Sequence, residues 1–282
     1  MPAKPRIVRT IKALRASVSA WHRQGEAVAV VPTMGALHDG HLTLVRRAHD
    51  KARRVIVTIF VNPTQFAAHE DLDRYPRDEA GDLAKLATVG VDLVYVPAAA
   101  VMYPEGFATR IEPKGAADGL ESLSRPHFFS GVATVVAKLL LQTSADFAMF
   151  GEKDYQQLMV VTQLVRDLDI PCEIVGVATE RAPDGLALSS RNAYLSAEER
   201  AIAPALNQVL RDTARALQTG SDARRAIAAA KRKLTAAGFR VDYLELRDAR
   251  TLGPADATGR RPRRLLAAAW LGRTRLIDNT GV

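Results

Sequence analysis

The stretch VPTMGALHDGH, residues 31–41, decides the fold because the pattern of hydrophobicity changes across it. An uncharged apolar run, residues 27–31, leads into it and is typical of a buried strand. Beyond it, apolar residues recur at helical spacing, at Leu42, Val45, Ala48 and Ala52. The stretch is therefore predicted to be a loop that joins a strand to a helix.

This loop suits the binding of a phosphate. Backbone N–H groups at a helix start are expected to be unpaired, and the macrodipole adds roughly half a positive charge there. Gly35 and Gly40 allow the backbone to approach a ligand or to adopt positive φ. The side chains of His38 and His41, three residues apart, project to one side of the first helical turn. On these residues alone, a glycine-containing loop with two solvated histidines is an equal alternative.

The composition is that of a globular protein. The 282 residues are 48% hydrophobic and 25% charged, enough for a large core. No apolar run of about 18 residues and no leader pattern occurs, so neither a membrane span nor a signal peptide is predicted. Cys172 is the one cysteine, which excludes an intrachain disulfide and favours a cytoplasmic location.

The net charge of +8 raises nucleic acid as a partner. The basic clusters, at residues 224–233 and 260–264, lack interleaved aromatic residues that would stack on bases. We therefore expect no nucleic-acid partner, and the basic balance suits anionic substrates such as ATP and carboxylic acids.

Strands and helices alternate along residues 1–178. Strands are predicted at 7–8, 27–31, 55–61, 91–96, 147–150 and 174–177. Helices are predicted at 11–21, 42–52, 79–89, 132–142 and 155–168, with irregular regions at 62–78 and 102–129. This alternation predicts an α/β fold with a doubly wound parallel sheet and ligands at the carboxyl ends of its strands.

The order of elements changes after residue 178. A capping box, Ser196 with Glu199, is predicted to open a helix that runs to about residue 217, and a second helix covers 222–237. Three strands are predicted after them, at 241–246, 265–271 and 274–277. The prediction is therefore a domain at 1–178 and a smaller α+β domain at 179–282.

FVNPTQF places Asn62 and Gln65 just after a predicted strand. Two amides there suit a hydroxylated or carboxylate substrate, although for this motif taken alone turn chemistry, which an asparagine before proline favours, is the stronger explanation. Arg125 suits an anion, whereas His127 beside two phenylalanines suits the covering of a core. No P-loop, dinucleotide fingerprint or zinc spacing occurs.

Two later segments carry charged or hydroxyl groups. FGEKDYQQL places Lys153 at a helix start, where the macrodipole disfavours a cation unless an anion is near. Its neighbour Asp154 suits helix capping or a ribose hydroxyl. LALSSRN supplies Ser189, Ser190 and Arg191 between the predicted domains, as a clamp for a triphosphate or as a surface loop.

Six motifs follow one another over nearly the whole chain: PTMGALHDGH, FVNPTQF, YPRD, FGEKDYQQL, DGLALSSRN and AAAWLGRTRLIDN. In this order and spacing they resemble the pantothenate synthetase family. HxGH alone would indicate only the wider nucleotidyltransferase superfamily, whose second signature resembles LSSR. The resemblance implies a Rossmann-like N-terminal domain, a C-terminal lid domain and a homodimer.

The resemblance also implies an ATP-dependent ligase that joins pantoate to β-alanine through pantoyl adenylate, releases AMP and pyrophosphate, and requires Mg²⁺. His41 matches the active-site histidine, and we expect His38, Lys153 and Arg191 to neutralise charge beside it. Pantoate is expected to contact Gln65 and Gln157, and Asn62 is predicted to bind it as well. The implied ATP contacts are Met34, Gly35, Ala36, Leu37, His38, Asp39, Gly40, His41, Gly151, Glu152, Lys153, Asp154, Leu188, Ser189, Ser190 and Arg191.

The sequence departs from the family pattern in three places. RPGHF is replaced by Arg125, Pro126, His127 and Phe128, which displaces the histidine by one position. The family's N-E-D appears as residues 69–71, His69, Glu70 and Asp71, and Glu180 stands where an apolar residue is commoner. The role of His127 is therefore left open.

Two other functions are open on the residues. Another adenylyltransferase would retain HxGH but would not need the amides of Gln65 and Gln157, and its product would retain AMP. A nucleic-acid binder would rest on net charge alone, and it predicts salt-sensitive oligonucleotide binding without ATP turnover.

Overall fold

The computed structural model describes residues 4–66, 72, 75–256 and 259–282. In the first part of the chain the predicted alternation of strands and helices is confirmed. The strands are β1 (Arg6–Val8), β2 (Val28–Thr33), β3 (Arg54–Ile59), β4 (Leu93–Tyr95), β5 (Phe147–Gly151) and β6 (Glu173–Val177). The helices are α1 (Ile11–Arg23), α2 (Asp39–Lys51), α3 (Glu79–Ala87), α4 (Ala99–Met102), α5 (Glu121–Ser124), α6 (Phe128–Thr143) and α7 (Tyr155–Asp167).

The six strands form a parallel sheet in the order β1-β4-β3-β2-β5-β6, which confirms the predicted Rossmann-like architecture. Residues 28–31 of β2 and 55–57 of β3 are fully buried because helices cover both faces of the sheet. β2 lies between β3 and β5, and the chain winds outward from it in both directions. Ligands of such sheets bind where the strand order reverses, at the carboxyl ends of the strands, which here means the ends of β2 and β5.

The region predicted to be irregular at 102–129 is partly helical. It contains α5 and a 3₁₀ turn at Gly115–Ala117, and α6 already begins at Phe128. The prediction was wrong for these segments because one-turn helices are too short to produce a hydrophobic period. Their bounds matter because α5 and α6 carry residues that support a candidate site.

The second part of the chain contains helices α8 (Ala197–Ile202), α9 (Ala205–Gln218) and α10 (Ala223–Ala236). They are followed by strands β7 (Arg240–Asp248), β8 (Arg263–Leu271) and β9 (Thr274–Gly281), which form an antiparallel sheet. The predicted capping box of Ser196 and Glu199 is confirmed. The single helix predicted from it to residue 217 is wrong, since Pro204 has no N–H and separates α8 from α9.

The chain divides into two compact units. The first unit comprises Met1–Glu152 and Val160–Val177, and the second comprises Lys153–Met159 and Ala178–Val282. The first turn of α7 belongs to the second unit, whereas the sequence prediction assigned it to the first domain. The predicted lid role of the C-terminal domain stays a prediction. Among the described residues, no helix combines the length and the apolar character needed to span a membrane.

Candidate active site

The loop at residues 34–41 follows β2 in the first unit and is fixed to the sheet where it begins. Thr33 Oγ1 donates to the Thr58 carbonyl oxygen at 2.7 Å and accepts the N–H of Gly35 at 3.2 Å. Gly35 has a φ of +80°, and a Cβ atom there would lie 3.0 Å from Asp82 Oδ2 and 3.2 Å from Ile59 Cγ2. Both conformation and space therefore require glycine at this position.

A buried carboxylate on α3 organises the middle of the loop. Asp82 is 2% exposed, and its two oxygens accept the N–H groups of Ala36 at 2.9 Å and of Leu37 at 2.7 Å. Lys85, one turn along α3, donates from Nζ to the Leu37 carbonyl oxygen at 2.6 Å. Burial raises the pKa of the Asp82 carboxyl above its ordinary value, and the N–H groups of Leu37 and Ala36 offset only part of this rise.

Asp82 and Lys85 were not among the residues predicted from the sequence. An acidic residue in the first turn of a helix and a basic residue in its last turn are explained by the macrodipole alone, and these two occupy such positions in α3. No sequence signal separates this ordinary role from contact with a loop more than forty residues earlier.

The two histidines of the loop form a capping box at the start of α2. His38 is the N-cap, and its Nδ1 accepts the N–H of Gly40 at 3.2 Å. His41 Nδ1 accepts the N–H of His38 at 3.3 Å, and the ring centroids lie 4.1 Å apart, as their spacing predicts. Since Nδ1 of each ring accepts a hydrogen bond, a neutral ring carries its proton on Nε2.

The expectation of unpaired backbone N–H groups at the start of α2 is wrong for most of the loop. Asp82, Thr33 and the histidines provide the acceptors that an anion was expected to provide. The paired N–H groups are those of Gly35, Ala36, Leu37, His38, Gly40, His41 and Leu42. Side chains and the macrodipole are therefore what this loop offers to an anion. The remaining loop residues are Met34, which is half-buried, and Asp39, which is exposed.

The amides of Asn62 and Gln65 lie together beyond β3, in and beside a 3₁₀ turn at Pro63–Gln65. Asn62 is 1% exposed, and its Nδ2 donates to Gln65 Oε1 at 2.9 Å and to the Gly131 carbonyl oxygen at 3.2 Å. Its Oδ1 accepts from Thr64 and from the Tyr103 hydroxyl, the latter at 2.8 Å. The hydrogen-bonding capacity of Asn62 is thus filled, so this residue positions Gln65 instead of presenting its own amide to a ligand.

Gln65 differs from Asn62 because one of its two amide groups, Nε2, is not bonded to another described residue. Its Oε1 is taken by Asn62, which orients Nε2 away from that residue. In the described part of the chain, Nε2 of Gln65 has no hydrogen-bond partner. An N–H₂ group without a protein partner, on a side chain that is otherwise held in place, suits an acceptor on a ligand, such as a carboxylate or hydroxyl oxygen.

The backbone around Gln65 is supported by α5 and α6. Arg125 follows α5, stacks 3.9 Å from the Phe128 ring centroid, and donates to the Gln65 carbonyl oxygen at 3.0 Å. A Cβ atom at Gly131 would lie 2.4 Å from the Thr64 carbonyl oxygen, so glycine lets α6 approach the 3₁₀ turn. Arg125, considered from the sequence as an anion ligand, is in this way tied to the backbone of the candidate substrate segment.

The segment 151–157 lies at the end of β5. Gly151 and Glu152 belong to the first unit, while Lys153, Asp154 and Gln157 belong to the second. The Lys153 side chain is 18% exposed, and its Nζ lies 3.9 Å from Asp154 Oδ1. Gln157 is half-buried in the first turn of α7.

The segment 188–191 lies in the second unit, directly after a turn-containing hairpin. The Arg181–Ala187 bridge pairs the two arms of the hairpin, and the Leu188 N–H donates to the Glu180 carbonyl oxygen at 2.9 Å. Ser189 then caps the 3₁₀ turn Ser190–Tyr194 by accepting the N–H of Arg191 at 3.3 Å. The hydroxyls and guanidinium singled out in the sequence thus follow an ordered connection.

The structure also describes the surroundings of two further residues considered in the sequence, Cys172 and His127. Burial raises the pKa of the Cys172 thiol to about 12, which disfavours the reactive thiolate. His127 Nε2 is buried with no hydrogen-bond partner among the described residues.

His69, Glu70 and Asp71, which replace the family's N-E-D, lie outside the described residues. Within the described residues, no three His, Cys, Asp or Glu side chains form a group that could hold a metal ion.

Comparison with known proteins places these residues in context. The family model described as pantoate-beta-alanine ligase matches residues 6–281. A pantothenate synthetase of Caulobacter vibrioides is 57% identical over 99% of both chains, and one of Mesorhizobium japonicum is 58% identical over 99% of both.

Solved structures similar to this chain belong to the same family as these relatives. The pantothenate synthetase of Thermus thermophilus is 46% identical over 98% of both chains, with a TM-score of 0.90. The pantoate-beta-alanine ligase of Francisella tularensis, complexed with beta-gamma ATP and beta-alanine, is 36% identical over 98% of this chain and 97% of that chain, with a TM-score of 0.83. The likeness therefore extends over both compact units.

Proposed function

The chain belongs to the pantoate-beta-alanine ligase family, and from this we propose how its residues carry out the reaction. Its activity is the ATP-dependent ligation of pantoate and β-alanine. We propose that the reaction proceeds through pantoyl adenylate, with release of AMP and pyrophosphate. The observation that carries the proposal is the pair of imidazoles fixed at the start of α2, at the end of the central strand β2.

In the first step, an oxygen of the pantoate carboxylate attacks the α-phosphorus of ATP. A P–O bond forms to the carboxylate, the bond to the bridging oxygen of the β-phosphate breaks, and pyrophosphate leaves. A carboxylate and a polyphosphate repel each other, so catalysis consists of alignment and neutralisation of charge. We assign this role to His38, His41, Lys153 and Arg191, and one such preorganised donor contributes about 3 kcal/mol to lowering the barrier.

In the second step, the amine of β-alanine attacks the acyl carbonyl. A C–N bond forms, the C–O bond to AMP breaks, and the amine loses a proton. The chain's own contribution to this step is to keep the acyl group in place, which we assign to Gln65 and Gln157. The Nε2 of Gln65 has no partner among the described residues, which supports a donor role toward pantoate. Asn62, whose amide is filled, is proposed only to orient Gln65.

The contacts with ATP are proposed for the segments that the motifs single out. In the first unit these are residues 34–41 with Gly151 and Glu152, and in the second unit Lys153, Asp154 and residues 188–191. Because the N–H groups of the loop are largely paired within the chain, we assign phosphate contacts there to the imidazoles.

Mg²⁺ is proposed as a cofactor that enters with ATP. Mg²⁺ usually keeps several waters and is held by substrate phosphates with one or two carboxylates, not by an all-protein cage. Bound in this way, the ion neutralises phosphate charge, and no residue of the chain is assigned as its ligand.

A homodimer and a cytoplasmic location are also proposed. The homodimer rests on the family resemblance, and sedimentation of the purified chain tests it. The location rests on the use of ATP and on a single cysteine, Cys172, whose thiol is buried. Fractionation of the cells that produce the chain tests it.

Isotope transfer tests the adenylate. Pantoate with ¹⁸O in both carboxylate oxygens is ligated to β-alanine, and the products are weighed by mass spectrometry. Attack on the α-phosphorus predicts one ¹⁸O in AMP and the other in the amide of the product. Attack on the γ-phosphorus would instead place the label in inorganic phosphate, and AMP without label would contradict the proposal.

A further inference from the structure

The motif RLIDN, residues 275–279, has no role in the reaction described so far. It lies in β9, where Asp278 and Asn279 are each 4% exposed. Polar side chains buried at successive positions of a strand project to opposite faces. Both therefore need partners, and the partners differ.

Asn279 contacts the segment that carries Lys153. Its Nδ2 donates to the Lys153 carbonyl oxygen at 2.9 Å. Its Oδ1 accepts from Arg264 Nε at 2.7 Å, and this guanidinium lies 3.7 Å from the Tyr155 ring centroid. The Tyr155 hydroxyl in turn donates to the Ala249 carbonyl oxygen at 2.8 Å. The backbone around Lys153 is thus held at two points, by Asn279 and through Tyr155.

Asp278 contacts the hairpin that leads to residues 188–191. Its two oxygens accept from Arg181 Nη1 at 2.7 Å and Nη2 at 2.9 Å, and Asn207 Nδ2 donates to it at 3.1 Å. Arg181 Nη1 also donates to the Gly185 carbonyl oxygen at 3.1 Å, which closes the turn of the hairpin. A bidentate arginine–carboxylate pair fixes direction as well as distance.

We propose that Asp278 and Asn279 are positioning residues that hold two ATP-binding segments from neighbouring positions of one strand. Asn279 sets the backbone from which Lys153 extends, and Asp278 sets the hairpin from which Ser189, Ser190 and Arg191 follow. The inference rests on the proposed function, since it takes these segments to contact ATP. Alignment is expected to matter because small displacements of a reacting group cost up to about a hundredfold in rate.

Two substitutions test the contact of Asn279 and the contact of Asp278 separately. Asn279→Asp keeps the size and the acceptor for Arg264, but it faces the Lys153 carbonyl oxygen with an oxygen instead of an N–H donor. Arg181→Lys keeps the charge beside Asp278 but loses the bidentate fork. Arg275→Ala is the matched control, since it lies on β9 as well and its guanidinium pairs with Asp242 and lies over the Tyr243 ring, both in β7.

The measurement is the full ligation reaction, with KM for ATP, KM for pantoate and kcat determined for wild type, these three variants and Lys153→Ala. We expect Asn279→Asp and Arg181→Lys to lower kcat/KM for ATP by about tenfold to a hundredfold. We expect KM for pantoate to be unchanged and Arg275→Ala to match wild type. Thermal melting of each variant accompanies the kinetics.

The outcomes distinguish this inference from the proposed function. If Lys153→Ala is impaired while Asn279→Asp and Arg181→Lys behave like Arg275→Ala, the positioning role is overturned and the assignment of Lys153 stands. If both variants only melt earlier, with both KM values unchanged, their role is structural and the inference is overturned. If Lys153→Ala matches wild type, the proposed role of Lys153 fails, and the positioning role that depends on it fails with it.

Discussion

We propose ATP contacts for the loop 34–41 in the first unit and for the segments 153–154 and 188–191 in the second, and these segments are held in different ways within their units. Asp82 holds the loop by accepting its N–H groups, so the loop's own backbone donors are consumed. Asn279 instead donates to a carbonyl oxygen, and Asp278 acts through Arg181. In both units, the segments proposed to contact ATP are positioned by residues outside those segments, namely Asp82 in the first unit and Asp278 and Asn279 of the RLIDN motif in the second.

This difference between the units indicates that the loop of the first unit acts through side chains. If so, His41→Ala removes the phosphate contact proposed for this imidazole, and the His38 N–H that loses its acceptor does not reproduce it. We expect adenylate formation to slow by about a hundredfold or more, because one preorganised donor is worth that much. Stopped-flow or quench measurement of a single turnover checks it.

His49→Ala is the control for this variant, since His49 lies in the last turn of α2 and contacts the Val89 carbonyl oxygen. Loss of a helix cap accounts for only about 1 kcal/mol of stability, so the His41 variant is expected to fold. Wild-type turnover in it would mean that the backbone, not the imidazole, binds phosphate.

Gln65→Glu separates the proposed pantoate contact from the proposed ATP contacts of the first unit, since it alters the first and leaves the loop 34–41 intact. The carboxylate still accepts from Asn62, but it replaces the N–H₂ donor with a charge that repels pantoate. We expect KM for pantoate to rise by about tenfold or more, the value of a hydrogen bond to a charged group. Gln163→Glu is the matched control, because within the part of the chain that the structure describes this amide forms hydrogen bonds only with Lys114 and Ala116. An unchanged dependence on pantoate removes Gln65 from the site.

Asp82→Asn breaks the support of the loop without changing any motif residue. An amide has one acceptor oxygen for two N–H groups, so one of the Ala36 and Leu37 donors is left unsatisfied. We expect the free energy of unfolding to fall by about 1–3 kcal/mol and KM for ATP to rise. Denaturant melts and steady-state kinetics check this together. Asp78→Asn is the control, since asparagine caps α3 as well as aspartate does, and an equal loss there would contradict the special role of Asp82.

The pH dependence of stability gives the smallest effect. Because burial raises the pKa of Asp82, the folded chain takes up a proton at this carboxyl before the unfolded chain does. Its contribution to the free energy of unfolding therefore increases as pH falls from neutral through the raised pKa, and it levels off below the ordinary value near about pH 4. We expect the stability difference between wild type and Asp82→Asn to grow in favour of wild type over this range. Denaturant melts at several pH values measure it, and a difference that shrinks toward acid would contradict the shift.

Much of the fold was accessible from the sequence because its signals are local. The β-branched runs of β2 and β3, the capping box at Ser196 and the helical period of α2 each specify an element within a few residues. The break at Pro204 was missed even though its signal was present, since the helical period continues on both sides of it.

The support of the candidate site was not accessible, because it depends on contacts between distant parts of the chain. Asn62 before a proline has the chemistry of a turn residue. Its hydrogen bond to the Gly131 carbonyl oxygen of α6 is what shows that it links the 3₁₀ turn to this helix. Asn279 and Lys153 are joined across more than a hundred residues. A carboxylate such as Asp82 looks like an ordinary helix residue until the loop that it holds is seen.

Pantoate-dependent exchange of labelled pyrophosphate into ATP, measured with Mg²⁺ and without β-alanine, tests the central claim most directly. The account predicts exchange that requires pantoate and is lost in His41→Ala, because the first step is reversible and needs no amine. Exchange that is absent until β-alanine is added, under conditions in which ligation proceeds, would contradict the adenylate and the role given to the two histidines.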